Sequence, residues 1–507
     1  MLSAILSPEW IVREAPVALI VLPLMMAVIT AILPRERLAW LVVMGTTIAC
    51  SVLSFIVLRE VLANGVVDYA LGGWEPPLGI ALHVDGLNAP ILFLISVIGA
   101  LCTLYAMRSV TAEVEPKKRP PFYAAFLVSF AGLLGMVITG DAFNVFVFLE
   151  VSSISTYVLV AMGSSRDRRA LNSAYNYLIL GSIGATFFVI GLGFLFMETG
   201  TLNMIDIAAT LKAAGGGSRV VQVAFAFIVV GLGLKLAMFP LHLWLPGAYA
   251  YSPSYVTAFL AATATKAALY LLLRFVFTIF DPSADFIISS LTWLLAVLGV
   301  VGMFAASLQA IFQNDARRLL AFSSVAQIGY MLLGIGMGTA LGLTAGYTHL
   351  LGHAMTKGAL FLCLGAVWYR YGITRVSELN GLMKTMPLTA TAMIIAGLSL
   401  IGVPGTIGFI SKWALLTAAA DNGWWWAVGA IVATSILALI YIGRMLEAIL
   451  LQEPPKIDGE TVARNEAPLT MLIPMWTLAL ACIYFGINSA WPIELAGRAA
   501  AVLGGGL

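Results

Sequence analysis

The sequence predicts an all-α polytopic membrane protein with about fourteen transmembrane helices. Hydrophobic residues make up 61% of the 507 residues and charged residues only 10%, whereas a soluble domain carries about 25% charged residues. Apolar runs such as 17–33, 39–58 and 174–197 are long enough to cross a hydrocarbon core of about 30 Å as helices. The runs are continuously apolar, which excludes the alternating pattern of a membrane β-barrel.

The polar breaks between apolar runs place fourteen spans along the chain. Two connectors are longer than the others, at 59–85 and 198–219, and neither is large enough for a separate soluble domain. The predicted spans are 15–33, 38–58, 86–107, 122–139, 142–162, 174–197, 220–247, 254–279, 286–312, 317–338, 341–369, 386–419, 424–450 and 468–488.

The distribution of cations predicts the topology. Connectors after odd-numbered spans contain 17 of the 27 lysines and arginines, whereas the opposite side, with both termini, contains 6. Because cytoplasmic loops carry the excess of basic residues, both termini are predicted to lie outside a bacterial inner membrane. The N-terminus lacks the basic region and cleavage site of a secretory signal, so the first apolar run is read as a retained span.

The four remaining cations lie deep in apolar segments, and all are lysines: Lys235, Lys266, Lys357 and Lys412. An ionised side chain at the bilayer centre costs about 2.5–3.5 kcal/mol on insertion scales. A lysine, unlike an arginine, releases its proton when it is partly desolvated. Snorkelling or a structural ion pair explains a single such lysine equally well, but four together favour proton transfer.

Glu150 is the acidic residue best placed to serve one of these lysines. It lies in an apolar span, where desolvation favours the protonated carboxyl group and a nearby ammonium favours the carboxylate. Unit charges about 4 Å apart at an effective dielectric near 20 interact by about 4 kcal/mol. A Glu–Lys pair would therefore change its proton affinity when the partners separate. Asp141, at the start of the same span, is predicted to be a helix N-cap.

His349, His353 and Lys357 are spaced four residues apart and so share one helix face. Imidazoles titrate near neutral pH and have two nitrogens, which suits a proton relay. The alternative is a pair of hydrogen-bonded core histidines. No cysteine or carboxylate accompanies the stripe, so a zinc site is disfavoured, and the sequence predicts no metal or other cofactor.

Helix breakers lie close to two of the lysines. Pro240 follows Lys235, and Pro404 with Gly405 precedes Lys412. Each proline removes a backbone donor and frees the carbonyl four residues earlier, leaving a polar break at membrane depth. Broken helices in matching positions of two halves indicate an ion pathway between inverted repeats, although a simple kink is also possible.

The segment 231–246, with the sequence GLGLKLAMFPLHLWLP, resembles the antiporter-like proton-pumping family. That family includes the D and A subunits of Mrp-type cation/proton antiporters, three large subunits of respiratory complex I and their membrane-hydrogenase relatives. The resemblance implies fourteen helices with two inverted five-helix repeats, each containing one broken helix. The implied regions are a three-helix segment at 1–121, repeats at 122–279 and 286–450, and a C-terminal helix and tail at 451–507.

The resemblance also implies a proton path. Glu150 resembles the family's buried glutamate, Lys235 its partner on the first broken helix and Lys266 the following central lysine. The stripe His349, His353 and Lys357 resembles the linking relay, and Lys412 the terminal residue.

Within the family, the sequence looks closer to the Mrp D subunits than to the complex I subunits. Residues 244–249 (WLPGAY) lack the Asp and His that complex I subunits carry after this proline, and the departure at Gly247 removes a polar group expected near the proton input. The expected partners are therefore the other antiporter subunits, of Mrp A, B, C, E, F and G type, together with protons, Na⁺ and the lipid bilayer, with no nucleic acid.

Three other functions remain open at this stage. A complex I-type or membrane-hydrogenase subunit would use redox energy to drive the same path, which would make the chain part of an enzyme. A proton-coupled inorganic carbon transporter would need a large soluble zinc-containing partner. A purely structural scaffold is disfavoured by the four embedded lysines.

Overall fold

The prediction of an all-α polytopic membrane protein is confirmed by the computed structural model, which describes residues 8–215, 217–280, 285–454, 456–457, 460–461 and 464–504. In these ranges, thirteen helices are long and apolar enough to cross a membrane. The remaining predicted span, 386–419, consists of two helices of 15 residues each, Pro387–Ile401 and Ile407–Asp421.

The elements are numbered here in chain order. The strands are β1 Val67–Ala70, β2 Ala81–Val84, β3 Lys456–Ile457 and β4 Glu460–Thr461. The helices are α1 Pro8–Ile32, α2 Glu36–Asn64, α3 Ala89–Glu113, α4 Arg119–Ile138, α5 Ala142–Ala161, α6 Arg169–Thr199, α7 Met204–Ala213, α8 Arg219–Leu236, α9 Trp244–Tyr251, α10 Ser254–Arg274, α11 Asp285–Ser290, α12 Val297–Ile311, α13 Ala316–Gly336, α14 Ala340–Tyr371, α15 Leu382–Thr385, α16 Pro387–Ile401, α17 Ile407–Asp421, α18 Trp425–Leu451, α19 Leu469–Ile487 and α20 Ala490–Leu503.

The first long connector forms a β-hairpin, which the sequence analysis did not anticipate. β1 and β2 pair antiparallel, with Val67 opposite Val84. The second long connector contains the short helix α7, whose Asn203 cap accepts hydrogen bonds from the amides of Ile205 and Asp206. Asp141 caps α5 by accepting from the amide of Asn144 at 2.7 Å, as predicted.

Helix α3 is fixed to helix α10 at both ends. Asp85, just before α3, accepts two hydrogen bonds of 2.8 and 2.9 Å from the guanidinium of Arg274 at the end of α10. Glu113, at the other end of α3, accepts a 2.9 Å hydrogen bond from the amide of Ser254 at the start of α10. The two helices therefore run antiparallel, and these contacts fix the axial position of α10, which carries Lys266.

Glycines allow close helix contacts at similar places in the two halves. A Cβ on Gly231 of α8 would lie 2.6 Å from the carbonyl oxygen of Gly184 on α6, and one on Gly329 of α13 would lie 2.4 Å from that of Gly299 on α12. Neither backbone position leaves room for a side chain. Small residues let transmembrane helices approach closely, so these pairs fix the distance between neighbouring helices.

Both proline-containing segments interrupt their helices. α8 ends at Leu236, where Ala237 adopts a left-handed conformation with φ of 61°, and α9 begins at Trp244. α16 ends at Ile401, followed by Gly402 with φ of 94°, and Thr406 caps α17. A left-handed residue terminates a helix by redirecting the chain, so each break leaves backbone carbonyls without an intrahelical partner.

Basic residues pair at one end of the bundle. Arg119 bonds Glu36, Arg166 donates to Glu113 at 2.7 Å and Lys384 pairs with Glu453 at 2.7 Å. At the opposite end, Arg498 of α20 donates to the carbonyl of Leu62 at 2.8 Å. Each of these three ion pairs therefore joins two connectors that are predicted to lie on the cytoplasmic side.

Candidate functional site

None of the four predicted lysines reaches the surface. The exposed fraction is 8% for Lys235, 1% for Lys266, 0% for Lys357 and 5% for Lys412. A lysine that snorkels would have its ammonium exposed at the membrane–water interface. Their burial instead requires each ammonium to be stabilised inside the bundle.

Lys235, in the last turn of α8, faces helix α5. Its ammonium donates to the hydroxyl of Ser153 and lies 5.6 Å from the centroid of the Tyr177 ring. Glu150, one turn before Ser153 on α5, is half-buried, and its charge interacts with that of Lys235. The two do not form an ion pair within 4.0 Å, because the ammonium is hydrogen-bonded one turn further along α5. The postulated Glu–Lys pair is therefore separated in this conformation.

One oxygen of Glu150, Oε1, is buried without a hydrogen-bond partner among the residues described. Buried polar atoms normally have a partner. Oε1 of Glu150 is therefore an unused hydrogen-bond acceptor in this conformation.

Lys266 lies in the middle of α10, where every residue from Ser254 to Arg274 except Ala264 is buried. Its ammonium donates to the carbonyl of Ala261 at 2.5 Å and to the hydroxyl of Thr265 at 3.4 Å. Both partners are neutral. Among the residues described, no carboxylate pairs with this ammonium.

The predicted histidine stripe is assembled on α14. The rings of His349 and His353 are nearly parallel, with centroids 6.3 Å apart. Nδ1 of His349 lies 2.9 Å from the hydroxyl of Ser411, and Nε2 lies 2.9 Å from the amide oxygen of Gln327. Because both ring nitrogens are bonded, His349 links helices α13, α14 and α17.

The other two members of the stripe differ in their partners. Lys357 donates to the carbonyl of Leu320 at 2.8 Å and to the hydroxyl of Ser323. Both ring nitrogens of His353 are buried and have no partner among the described residues. His353 lies one helical turn from His349 and one from Lys357, so it stands between two ionisable groups on the same face of α14.

Lys412, in α17, is stabilised by the second helix break. Its ammonium donates to the carbonyls of Leu400 and Ile401 at 3.2 and 2.8 Å, and to the hydroxyl of Ser435 at 3.3 Å. Leu400 is the residue whose carbonyl Pro404 was predicted to free. The break therefore supplies the polar groups that hold a buried cation.

Tyr330 connects Lys412 to the histidines. Its hydroxyl lies 3.2 Å from that of Ser435, and its ring lies 5.4 Å from the ring of His349, centroid to centroid. The ammonium of Lys412 lies 4.8 Å from the centre of the same tyrosine ring. Lys412, Ser435, Tyr330 and His349 thus lie side by side in the second half of the chain, and His353 and Lys357 follow His349 along α14.

The first half is less continuous. In the part of the chain that the structure describes, no hydrogen bond joins Lys235 to Lys266. Aromatic side chains of α6 and α9 pack beside Lys235: the ring centroids of Tyr177 and Trp244 are 4.1 Å apart in a stacked arrangement, and those of Trp244 and Tyr249 are 6.5 Å apart. Transfer between these two lysines would need movement or intervening water.

Sequence reasoning did not identify the neutral partners, namely Ser153, Ser323, Gln327, Tyr330, Ser411 and Ser435. Single hydroxyl and amide side chains are common in membrane helices. Their only signal was proximity: Ser153 is three residues from Glu150, and Ser411 adjoins Lys412.

A second polar cluster, also not predicted, lies beside the β-hairpin. His83 bonds Asp68 at 2.6 Å and approaches Asp85 at 3.4 Å. Burial lowers the pKa of His83, but the hydrogen bonds to the two carboxylates outweigh it and raise that pKa to about 9. Burial likewise raises the pKa of Asp85, but His83 and the charge of Arg274 hold it well below its usual range. This cluster is a fixed ion pair at the end of the bundle.

Known proteins are similar to this chain in sequence and in fold over most of its length. The chain is 38% identical to the N subunit of the NADH-quinone oxidoreductase of Desulforudis audaxviator, over 93% of this chain and 95% of that protein. It is 32% identical to the D subunit of the Na⁺/H⁺ antiporter of Alkalihalophilus pseudofirmus over 75% of each.

Among solved structures, a chain of the Mrp complex from a Dietzia species matches with a TM-score of 0.89, at 29% identity and 97% coverage of both chains. The family described as NADH:quinone oxidoreductase/Mrp antiporter, transmembrane, matches residues 139–438. That range contains every residue of the row from Glu150 to Lys412. The chain therefore belongs to the NADH:quinone oxidoreductase/Mrp antiporter family of membrane subunits.

Proposed function

We propose that this chain is the proton-translocating subunit of a multisubunit monovalent cation/proton antiporter of the Mrp type, with Na⁺ as the exchanged cation. The observation that carries the proposal is a row of buried ionisable groups without an obvious structural purpose. Four ammonium groups cost free energy in a membrane interior, and most of their partners are neutral groups that leave them free to lose a proton. The similarity to antiporter D subunits supports the choice of antiport.

The chemistry proposed for the row is proton exchange between neighbouring groups. Glu150 and Lys235 exchange a proton when they approach each other, Lys266 connects the two halves, and His353 and His349 connect it to Lys357 and Lys412. Hydroxyl groups both donate and accept, so Ser411, Ser435 and Tyr330 can carry a proton between His349 and Lys412. Water must bridge the space between Lys235 and Lys266.

The same proposal places the chain in a bacterial inner membrane with both termini outside. The positive-inside bias supports this orientation, and the basic residues gather at one end of the fold. The other Mrp subunits would supply the remaining parts of the cation path. The chain itself would then be a transporter subunit and not an enzyme.

The test is antiport in inverted membrane vesicles from a host without its own antiporters. After respiration has acidified the vesicles, added Na⁺ should release protons when the whole complex is expressed. Glu150→Ala and Lys235→Ala should abolish this release while the complex still assembles. Lys384→Ala, which removes an exposed lysine of the basic end, is the matched control and should retain it. Undiminished antiport in the first two variants would refute the proposed path.

A second candidate is a pumping subunit of a quinone-reducing complex. The observation that favours it is the 38% identity to an N subunit of an NADH-quinone oxidoreductase, which exceeds the 32% identity to an antiporter D subunit. The same row would then move protons with redox energy. Purification of the native complex separates the two: small multispan antiporter subunits support antiport, whereas iron–sulfur subunits support redox-driven pumping.

A further inference from the structure

We infer that a cavity between the ends of helices α2, α3 and α4 binds the phosphate headgroup of an anionic phospholipid. The cavity has a volume of about 300 Å³. It lies where α2 begins, α3 ends and α4 begins, at the basic end of the bundle. Its lining includes Glu36, Arg37, Trp40, Arg108 and Arg119.

The charges around this cavity are unbalanced. Arg119 is fully engaged: it bonds Glu36 and donates to the carbonyls of Val114 and Thr111 at 2.9 and 2.7 Å. The single carboxylate of the lining is therefore already neutralised. The guanidinium groups of Arg37 and Arg108 are left, and neither has a hydrogen-bond or ion-pair partner among the described residues. Two uncompensated guanidinium groups favour a ligand with a phosphate or another compact anion.

The position of the cavity favours a lipid over a soluble anion. Arg37 is exposed at the start of α2, and the exposed apolar side chains Leu41, Ile48 and Val52 follow it on the same helix face. A phosphate held by Arg37 would place its acyl chains along this face. Basic pockets between helices on the cytoplasmic side suit anionic lipid headgroups.

Trp40, near the start of α2, also lines the cavity. Its indole nitrogen donates to the carbonyl of Thr103 on α3 at 2.8 Å, which fixes the ring between the two helices. Tryptophan is enriched at membrane interfaces, where one part of the ring is apolar and the other polar. The ring thus forms an aromatic wall of the cavity beside its arginines.

The test uses the assembled complex in nanodiscs with a phosphatidylglycerol analogue that carries a photoreactive diazirine in its acyl chain. Peptides labelled after illumination are mapped by mass spectrometry. In the native protein, labelling should concentrate on the apolar face of α2. Arg37→Gln/Arg108→Gln should weaken this labelling about thirtyfold, at about fivefold for each cation lost near an anionic headgroup. Arg37→Lys/Arg108→Lys should retain most of it.

A matched control removes the same charge elsewhere. Arg168 and Arg464 are exposed and do not line the cavity, so Arg168→Gln/Arg464→Gln should label α2 as the native protein does. A second variant, Thr111→Asp, adds a negative charge at the lining without removing an arginine and should also lower the labelling.

Three results would overturn the proposal. Labelling of α2 that is unchanged in Arg37→Gln/Arg108→Gln would show that the arginines do not recognise the lipid. Competition by inorganic phosphate would identify a soluble anion as the ligand. Absence of label on α2, with crosslinks to a neighbouring subunit, would show that a protein covers the cavity.

Discussion

The two broken helices hold their lysines in different ways. At the first break, Lys235 lies before the interruption and turns away from it, donating to Ser153 on α5 with Glu150 one turn away. At the second break, Lys412 lies after the interruption and donates directly to two carbonyls that the break exposes. A proline-containing break thus lies beside both lysines. Lys235 has the ionisable Glu150 nearby, whereas the hydrogen-bond partners of Lys412 are all neutral.

The charge next to Lys235 can therefore change, whereas the hydrogen-bond partners of Lys412 keep the same charge. The field at Lys235 depends on whether Glu150 carries a proton, because a carboxylate stabilises an ammonium and a carboxylic acid does not. The hydrogen bonds of Lys412 go to two backbone carbonyls and the hydroxyl of Ser435, groups that do not titrate near neutral pH. We therefore expect the first site to control when a proton is released and the second to provide a passage for it.

The largest effect is expected from Glu150→Gln, which keeps the shape of the side chain but removes the titrating group. If the first site is the switch, cation-driven proton release in vesicles should fall by more than about tenfold, the range in which a positioned acid or base acts. Ser435→Ala at the second site should cost only a few-fold. Equal losses in the two variants would remove the distinction between the sites.

Lys412→Arg tests whether the lysine at the second break carries protons or only stabilises the break. The arginine keeps the positive charge, but its guanidinium does not release a proton. If Lys412 only stabilises the helix break, antiport should survive, and if it carries protons, antiport should fall at least about tenfold. We expect the loss, with normal amounts of assembled complex on a native gel. Lys384→Arg, at the exposed end, serves as the control.

A smaller effect is expected from Tyr330→Phe. The variant removes the hydroxyl that bonds Ser435 but leaves the ring contact with His349, so antiport should fall a few-fold because Ser435 loses a hydrogen-bond partner on the proposed path. Tyr347→Phe is the matched control: its hydroxyl donates to the carbonyl of Leu87 at 2.6 Å, outside the row. The control should cost about 1 kcal/mol of stability without changing the antiport rate. If Tyr347→Phe lost as much antiport as Tyr330→Phe, the proposed role of the Tyr330 hydroxyl in the proton path would be contradicted.

The smallest effect is expected at His83, whose positive charge is held between the carboxylates of Asp68 and Asp85 outside the proton path. Its pKa is raised from 6.5 to about 9, so its stabilising contribution is complete below about pH 6.5 and is lost as the pH rises through 9. The melting temperature of the purified complex should therefore fall by a few degrees more between pH 6.5 and 9.5 than that of His83→Gln. The same pH dependence in both proteins would exclude His83 as the cause.

The sequence predicted the helical spans, the two breaks and the burial of the four lysines, because apolar runs, prolines and isolated charges are strong local signals. It did not predict the hairpin before α3 or the partners of each ammonium. Contacts such as Lys412 with Ser435 join residues on different helices, and no periodicity within one helix reveals them. The separation of Glu150 from Lys235 also depends on the relative heights of α5 and α8. The division into two inverted repeats stays a prediction.

Lys266 offers the most direct test of the central claim that protons pass along the embedded row, because the proposed path passes through it between the two halves of the chain. Proteoliposomes containing the complex with Lys266→Ala should show cation-driven proton movement at least about tenfold below that of the native complex, with the same melting temperature within a few degrees. Proton movement at the native rate in this variant would show that the path does not run through the lysines.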